Sequence, residues 1–269
     1  AKIASLVSDP VPQTSVLTAG DGSKVGYLLF NDHIATAEGR LATAIATLQA
    51  QNVSDLVLDL RYNGGGYLYI ASELAYMIAG PARTSGKAFE TLRFNRKRSA
   101  DNETTPFYNT STQSQALPTL GLSRVYVLTG PGTCSASEAI INGLEGVDVT
   151  VQRIGATTCG KPYGFYATDN CGISYFPIEF QGVNAKSFGD YAGGFTPNCT
   201  VADDLEHALG DVAEARLAAA LTLRATGACP AGAASAAARA LASRAGTAPA
   251  AGTLVKHPAR ENAYRGGRE

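Results

Sequence analysis

The sequence predicts an α/β fold in which βαβ units build a largely parallel sheet with flanking helices. Short apolar strand patterns alternate with longer helix patterns before residue 80 and again after residue 124. The strand patterns are apolar at nearly every position, which is typical of parallel strands that are covered on both faces. This alternation favours a parallel sheet over an all-β or an all-α architecture.

The first βαβα unit lies within residues 25–80. Val25–Phe30 (VGYLLF) and Asp55–Arg61 (DLVLDLR) are predicted to be buried strands. A helix is predicted over residues 36–51, where apolar residues recur at helical spacing. A second helix follows the glycines of YNGGG, and its apolar stripe consists of Ile70, Leu74, Met77 and Ile78.

The same alternation returns in the second half of the chain. Arg124–Gly130 (RVYVLTG) is predicted to be a strand, and a helix begins within the segment GPGTCSASEAIINGL after it. Val149–Gly155 is predicted to be the next strand. Gly164–Phe180 is predicted to be a β-hairpin around a polar Thr168-Asp169-Asn170 turn, and residues 211–225 a late helix.

The chain is predicted to contain one core domain with two extensions. Residues 1–24 are rich in Ser, Thr, Pro and Gly and are expected to form an extended lead-in, followed by a core over residues 25–229. Within this core, the polar stretch 95–118 is expected to be a surface excursion that is solvated or lines a substrate channel. Residues 230–269 are of low complexity and are expected to be a flexible tail, with a helix over 234–245 as the alternative.

Composition limits the classes of function. The chain has 269 residues, of which 45% are hydrophobic, so there is ample material for a core. The formal net charge of −1 provides no basic excess for neutralising phosphates, so a general nucleic-acid binder is not expected. No run of 18 apolar residues occurs, so a membrane-spanning helix is not expected either.

The cysteines bear on metal binding and on the cellular compartment. The five cysteines form no CxxC pair, so a zinc site is not expected. Two disulfides with one free thiol would suit a periplasmic or secreted bacterial protein, and five buried reduced thiols are the alternative. No charged-then-apolar leader follows Ala1, so a signal peptide is absent from this numbering. The cysteines are Cys134, Cys159, Cys171, Cys199 and Cys229.

Three loops at strand ends carry the candidate chemistry. TCSASE, with Ser135 and Ser137, lies between a strand and a helix, where open α/β folds place their sites. DLRYNGGG holds the equivalent place after the earlier strand, and its glycine amides are suited to binding an oxyanion. TTCGKPYG follows the strand 149–155 and carries Lys161 in an otherwise uncharged neighbourhood. The alternative interpretations are a helix-capping serine, a plain glycine turn and a solvated lysine.

A serine nucleophile needs a base, and the sequence favours the lysine over the histidines. No GxSxG, SxxK or HExxH motif occurs, and GPARTSGKA has the wrong spacing for a phosphate loop. A desolvated lysine can act as a base because burial lowers its pKa, and a pKa of about 7–8 suffices. The histidines lie in a polar connection, in an acidic segment and in the tail, and they are His33, His207 and His257.

In this order and with these gaps, the three motifs resemble those of the carboxy-terminal processing (tail-specific) serine proteases, whose fold belongs to the ClpP/crotonase-like superfamily. Members carry D-L-R-x-N-x-G-G, then S-A-S-A-S-E, then T-F-G-K about 25 residues past the nucleophile. The resemblance covers residues 25–223 and implies that Ser135 is the nucleophile and Lys161, 26 positions later, the general base. It also implies an oxyanion hole formed by the Ala136 amide and an amide of Gly65 or Gly66.

The chain departs from the family pattern at several positions. Many members orient the lysine with a glutamine four residues later, where this chain has Phe165. The Q-D pair after the serine helix is replaced by EGVD, which leaves Glu145 and Asp148, with Glu138 of the A-S-E motif, as candidate supporting residues. Only one helix fits between residues 31 and 55, so the PDZ module usual in the family is not expected within the chain.

Two disulfide pairings are hypotheses that follow from the resemblance. Cys134 and Cys159 stand beside the two members of the dyad, and a bond between them would brace one loop against the other. Cys199 with Cys229 would clamp the last helix. Both remain to be tested against the structure.

The resemblance implies a serine endopeptidase that hydrolyses peptide bonds of unfolded or tagged polypeptides with a Ser–Lys dyad and needs no metal or cofactor. The alternative is a non-proteolytic or latent peptide- or ligand-binding module on the same fold. Retention of both Ser135 and Lys161 favours the peptidase, and loss of the orienting glutamine favours the alternative. A crotonase-type acyl-CoA enzyme is disfavoured because it has no use for a paired Ser and Lys.

Overall fold

The computed structural model describes residues 8–230 and the two-residue strand Ala263–Tyr264. The helices are α1 (Ala37–Ala50), α2 (Leu68–Ala79), α3 (Pro81–Thr84), α4 (Ala136–Gly146) and α5 (Ala215–Thr226). The strands are β1 (Gln13–Thr18), β2 (Lys24–Leu29), β3 (Asp55–Asp59), β4 (Ala88–Phe94), β5 (Glu103–Pro106), β6 (Arg124–Thr129), β7 (Thr150–Gly155), β8 (Tyr163–Phe165), β9 (Thr168–Asn170), β10 (Ile173–Tyr175), β11 (Phe180–Val183), β12 (Cys199–Thr200) and β13 (Ala263–Tyr264).

A six-stranded central sheet organises the molecule in the order β1-β2-β3-β6-β7-β12. Every neighbouring pair is parallel except β1 with β2, which form an antiparallel hairpin. The predicted α/β fold with a largely parallel sheet is therefore confirmed. The edge strand β1 lies in the segment that was expected to be only an extended lead-in. Its side chains are half-buried, so it lacks the fully apolar pattern of the strands inside the sheet.

The central strands bury both of their faces. Alternate residues of β2 point into two different cores: Leu28 packs with α1, α2 and α4, and Tyr27 packs with α5 on the opposite face. The same division holds for β3, where Leu56 and Leu58 face one core and Val57 the other. Helices on both sides of the sheet explain why these strands are apolar at nearly every position.

A second, mostly antiparallel sheet lies beyond α4, in the order β13-β8-β11-β4-β5. Its strand β4 packs on α4, where a Cβ on Gly143 would stand 2.5 Å from the Phe89 ring. The helix therefore needs a residue without a side chain at this contact. At the amino end of α4, Glu90 and Gly182 of this sheet line the same cavity as Ser135.

The predicted hairpin is present, but its turn was placed wrongly. Gly164 pairs with Phe180 across β8 and β11, as expected for the two ends of the hairpin. Thr168–Asn170, however, is the strand β9, and the chain reverses at Cys171 and Gly172, which both have positive φ. Glycine tolerates that conformation, so the polar triplet was a weaker turn signal than the glycine after it.

The last helix is shorter at its start than the predicted 211–225. Glu214 caps α5 by accepting hydrogen bonds from the backbone N–H groups of Arg216 and Leu217. The helix ends at Gly227, which is left-handed with φ 72°. The alternative helix over 234–245 lies outside the described residues. Within the described part of the chain, no helix combines the length and apolar character needed to cross a membrane.

Candidate active site

Three loops meet at the carboxyl edge of the central sheet because β3, β6 and β7 are parallel neighbours. They are the glycine turn (residues 63–66), the nucleophile turn (residues 133–136) and the base segment (residues 157–162). The Cys134 N–H donates to Asn63 O at 3.1 Å, and the Cys159 N–H donates to Thr133 O at 3.0 Å. The nucleophile turn is thus held by backbone hydrogen bonds from both sides.

Ser135 has an unusual backbone conformation at the amino end of α4. Its φ is 59° and its ψ is −114°, a region that costs a non-glycine residue about 1–3 kcal/mol. The residue is only 2% exposed. Although Ser135 and Glu138 stand at capping-box positions, the Ser135 Oγ makes no hydrogen bond, whereas the Ser135 N–H donates to Glu138 at 3.0 Å. The hydroxyl is therefore not used as a helix cap.

The glycine turn lies against the nucleophile turn. Gly65 has φ 93°, and a Cβ there would lie 2.7 Å from Cys134 O and 2.9 Å from Ala136 N, so only glycine fits. The Gly65 N–H donates to Asn63 Oδ1 at 3.0 Å. Within the described residues the amides of Gly66 and Ala136 have no acceptor. Of the three predicted oxyanion residues, these two can donate, and Gly65 provides the space between them.

Glu138 joins the base segment to the nucleophile turn from a fully buried position. Its carboxylate accepts hydrogen bonds from the backbone N–H groups of Ser135 at 3.0 Å, Gly160 at 2.8 Å and Lys161 at 2.7 Å. The Thr158 hydroxyl donates to the same carboxylate. Glu138, one of the predicted supporting residues, therefore fixes the two loops in register.

Two disulfides are present, with the pairings that the resemblance suggested. Cys134–Cys159 has a Cα–Cα distance of 5.2 Å and links the nucleophile turn to the base segment. Cys199–Cys229 joins β12 to the residues after α5, with a Cα–Cα distance of 5.6 Å. Cys171 is an exposed free cysteine.

Ser135 and Lys161 line the same small cavity, whose volume of about 10 Å³ holds roughly one water molecule. Its wall also includes Glu90 and Tyr191. The Lys161 Nζ lies 5.6 Å from the centroid of the Phe165 ring, within the range of a cation–π contact. Phe165 thus faces the amine at the position where the family pattern has a glutamine, but a phenyl ring offers no carbonyl acceptor.

Glu145 and Asp148 lie away from this cavity. They follow Ser135 by 10 and 13 residues, so they lie at the far end of α4, at about 1.5 Å of helix per residue. Glu145 forms an ion pair with Arg153, and Asp148 forms one with Lys186 at 2.6 Å. The hydrogen bond and charge of Lys186 lower the pKa of Asp148. The structure does not bring these two predicted supporting residues to the serine.

His33 is closer to the site than its polar sequence context indicates. It is fully buried, its Nδ1 lies 2.9 Å from Asn63 Oδ1, and its Nε2 has no partner among the described residues. A Cβ on Gly66 would lie 2.6 Å from His33 O, so the histidine backs the glycine turn. Burial lowers the pKa of His33 to about 3, which keeps the ring neutral at ordinary pH.

Arg61 of the D-L-R motif is a second residue whose role the sequence did not reveal. Its guanidinium is buried and makes two parallel hydrogen bonds of 2.8 Å to the Glu214 carboxylate and one of 3.0 Å to Asp59. Paired Arg–carboxylate contacts of this geometry are strong and directional. The end of β3, and with it the start of the glycine turn, is thereby anchored to α5.

Comparisons with known proteins agree with this arrangement. The model of peptidase family S41 matches residues 24–164. The structure of a candidate S41 protease from Bacteroides fragilis is similar, with 31% identity and a TM-score of 0.75, and covers 83% of this chain. The photosystem II D1 C-terminal processing protease has 16% identity, a TM-score of 0.56 and 73% coverage, and it supports the fold alone. This chain spans 60% and 49% of those two chains. No curated protein matches the chain.

A largely parallel α/β sheet with a strained serine beside a glycine turn has the parts that acyl transfer by a serine nucleophile requires. The hydroxyl lies where a parallel sheet ends and a helix begins, and a Cβ on Gly65 would lie 2.9 Å from Ser135 Cβ. Because the family model matches more than half of the residues, the chain belongs to peptidase family S41.

Proposed function

We propose that this protein is a serine endopeptidase of the tail-specific type, in which Ser135 is the nucleophile and Lys161 the general base. The observation that carries the proposal is the shared cavity: the unpartnered Ser135 hydroxyl and Lys161 both line it. A buried hydroxyl in a strained turn that completes no hydrogen bond favours a chemical role over a purely structural one.

In the first half of the reaction, Ser135 Oγ attacks the carbonyl carbon of a peptide bond. The Oγ–C bond forms as neutral Lys161 takes the hydroxyl proton, and the carbonyl π electrons move onto the oxygen. The Gly66 and Ala136 amides stabilise that oxyanion, and losing one such donor costs about 3–4 kcal/mol of barrier. The C–N bond then breaks, and the ammonium group of Lys161 protonates the leaving amine.

In the second half, water hydrolyses the acyl-enzyme. Lys161 takes a proton from the attacking water, the new C–O bond forms, and the ester bond to Ser135 Oγ breaks as that oxygen regains its proton from Lys161. The enzyme returns to its starting state, and no metal or cofactor takes part in either half.

The proposed substrates are unfolded or tagged polypeptides, and the proposed location is the periplasm or the extracellular space. Two disulfides in a chain of this size favour an oxidising compartment, where such bonds persist.

An active-site probe and an unstructured substrate test the assignment. A fluorophosphonate should label the wild type on Ser135, and Ser135→Ala, Lys161→Ala and Lys161→Arg should each lose labelling and casein cleavage by at least about 1,000-fold. Lys186→Ala is the matched lysine control, since Lys186 pairs with Asp148 at the far end of α4. Near-normal rates for Lys161→Ala would show that another group is the base.

The alternative is a module that binds a peptide or ligand without cleaving it. The observation in its favour is Phe165, which stands where the family places a residue that orients the base. A correctly folded wild type that binds an unstructured peptide, but neither cleaves it nor reacts with the probe, would establish this alternative and exclude the peptidase.

A further inference from the structure

Glu90 is a buried carboxyl group in the wall of the cavity that contains Ser135 and Lys161. It lies on β4, is 4% exposed and belongs to no motif. Glutamate is almost never fully buried without a specific reason, because burial penalises its charged form. An apolar residue such as leucine would be expected at a buried strand position that serves packing alone.

The second sheet makes room for this carboxyl group. A Cβ on Gly182 of the neighbouring strand β11 would lie 1.8 Å from Glu90 Oε1 and 2.2 Å from its Cδ. Any other residue at 182 would therefore displace the carboxyl group. The Glu90 carboxyl therefore lies over Gly182, and both residues line the same cavity as Lys161.

We propose that Glu90, as a neutral carboxylic acid, is the positioning residue for Lys161. Its carbonyl oxygen accepts a hydrogen bond from the lysine amine and thereby directs the amine lone pair toward the Ser135 hydroxyl. A protonated glutamate has nearly the shape and the acceptor of a glutamine, which is the group that Phe165 does not provide. This inference rests on the proposed Ser–Lys function and deepens it.

The surroundings of Glu90 favour the neutral form. Burial raises the pKa of Glu90 to about 8. The titratable groups that face it in the cavity are Lys161, Tyr163 from β8 and Tyr191 from the segment before β12. Tyr191 is neutral, because burial, together with the charges of Glu90 and Glu138, raises its pKa well above the ordinary value. On the neighbouring strand β5, the residue paired with Glu90 is the uncharged Thr105.

The proposed role gives activity a definite pH dependence. Below about pH 8 the carboxyl group is protonated, and Lys161 can remain a neutral base beside it. Above that pH the carboxylate favours the ammonium form of the lysine, because an opposite charge in a low-dielectric cavity stabilises it. Activity should therefore fall as the pH rises through about 8, and the fall should depend on residue 90.

Two substitutions at residue 90 separate this role from a packing role. The rate of fluorophosphonate labelling of Ser135, and of casein cleavage, is measured for wild type, Glu90→Gln and Glu90→Ala between about pH 6 and 9.5. Glu90→Gln should retain neutral-pH activity within about fivefold and lose the alkaline decline. Glu90→Ala should lose about 10- to 100-fold in kcat with little change in KM. Glu103→Gln, on the adjacent strand β5 and exposed, is the control and should follow the wild-type profile.

Several outcomes would overturn the inference. An alkaline decline in Glu90→Gln equal to that of the wild type shows that Glu90 does not govern the lysine. If Glu90→Ala fails to fold by circular dichroism, the Glu90→Gln profile alone decides. A wild type that is labelled on Ser135, and whose pH profile is shared by Glu90→Gln and Glu90→Ala, rejects only the positioning role. A folded wild type that neither reacts with the fluorophosphonate nor cleaves casein rejects both the proposed function and the positioning role of Glu90.

Discussion

Removing the Cys134–Cys159 disulfide should reduce stability and activity together, whereas removing Cys199–Cys229 should reduce stability alone. The two bonds close loops of 25 and 30 residues. In the chain-entropy description, either loop constrains the unfolded chain by about 3.5 kcal/mol, so the double variants Cys134→Ala/Cys159→Ala and Cys199→Ala/Cys229→Ala should lose similar free energies of unfolding. The second pair is a matched control, because it joins β12 to the residues after α5 and includes neither the nucleophile turn nor the base segment.

The difference should appear in catalysis. Only the first bond connects the turn that carries Ser135 to the segment that carries Lys161. A displacement of about 1 Å between reacting groups costs about 100-fold in rate, so kcat/KM should fall by at least 10-fold in the first variant and by less than twofold in the second.

Urea unfolding followed by far-ultraviolet circular dichroism gives the free energies, since the chain contains no tryptophan. Activity is measured with casein at a temperature where all variants are folded, and every protein carries Cys171→Ser to prevent disulfide exchange. Equal kcat/KM for the two double variants would refute the argument that the first disulfide positions the reacting groups.

Four further outcomes are expected. Gly65→Ala should cost at least about 2 kcal/mol in urea unfolding and abolish probe labelling, because its Cβ would lie 2.7 Å from Cys134 O at φ 93°. Wild-type rates in that variant would exclude the close approach. Glu138→Ala should lose at least about 3 kcal/mol, since buried N–H donors lose their acceptor, and Glu138→Gln should lose less. A fully stable Glu138→Ala would contradict this. The folded pKa of Glu90 is raised to about 8, so stability should fall by about 1–2 kcal/mol from pH 6.5 to 8 in the wild type and not in Glu90→Gln. The lowered pKa of His33 acts in the opposite direction, with stability lost as the pH falls below 6.5, and His33→Asn should remove that loss.

The central sheet could be predicted from sequence because its strands carry their signal locally. Strands β2, β3 and β6 are covered on both faces, so nearly every residue in them is apolar. The edge strand β1 and the strand β4 of the second sheet were not predicted. Each has a mixed pattern, since one face or one end meets solvent, and mixed patterns of six or seven residues are ambiguous.

The residues of the site also divide into those that a local motif reveals and those that it does not. Ser135, Lys161 and the glycine turn lie in motifs that each follow a strand of the parallel sheet. Their convergence at one sheet edge could therefore be predicted. Glu90 and Tyr191 reach the same cavity from the second sheet and from a later loop, and their roles depend on burial that no local pattern encodes. Glu145 and Asp148 were chosen by position after the motif. The helix carries them away from the serine, because ten or more residues of α-helix extend about 15 Å.

The buried pair of Arg61 and Glu214 ties the final helix to the half of the molecule that carries the candidate site. The match to the S41 family model ends at residue 164. Arg61 of the D-L-R motif nevertheless pairs with a carboxylate from beyond that point, Glu214. A truncation before residue 214 would remove this carboxylate and leave Arg61 with Asp59 as its remaining buried partner, and breaking a buried pair costs about 3–5 kcal/mol. A shortened protein that keeps the pair must therefore include Glu214 and the helix that it caps.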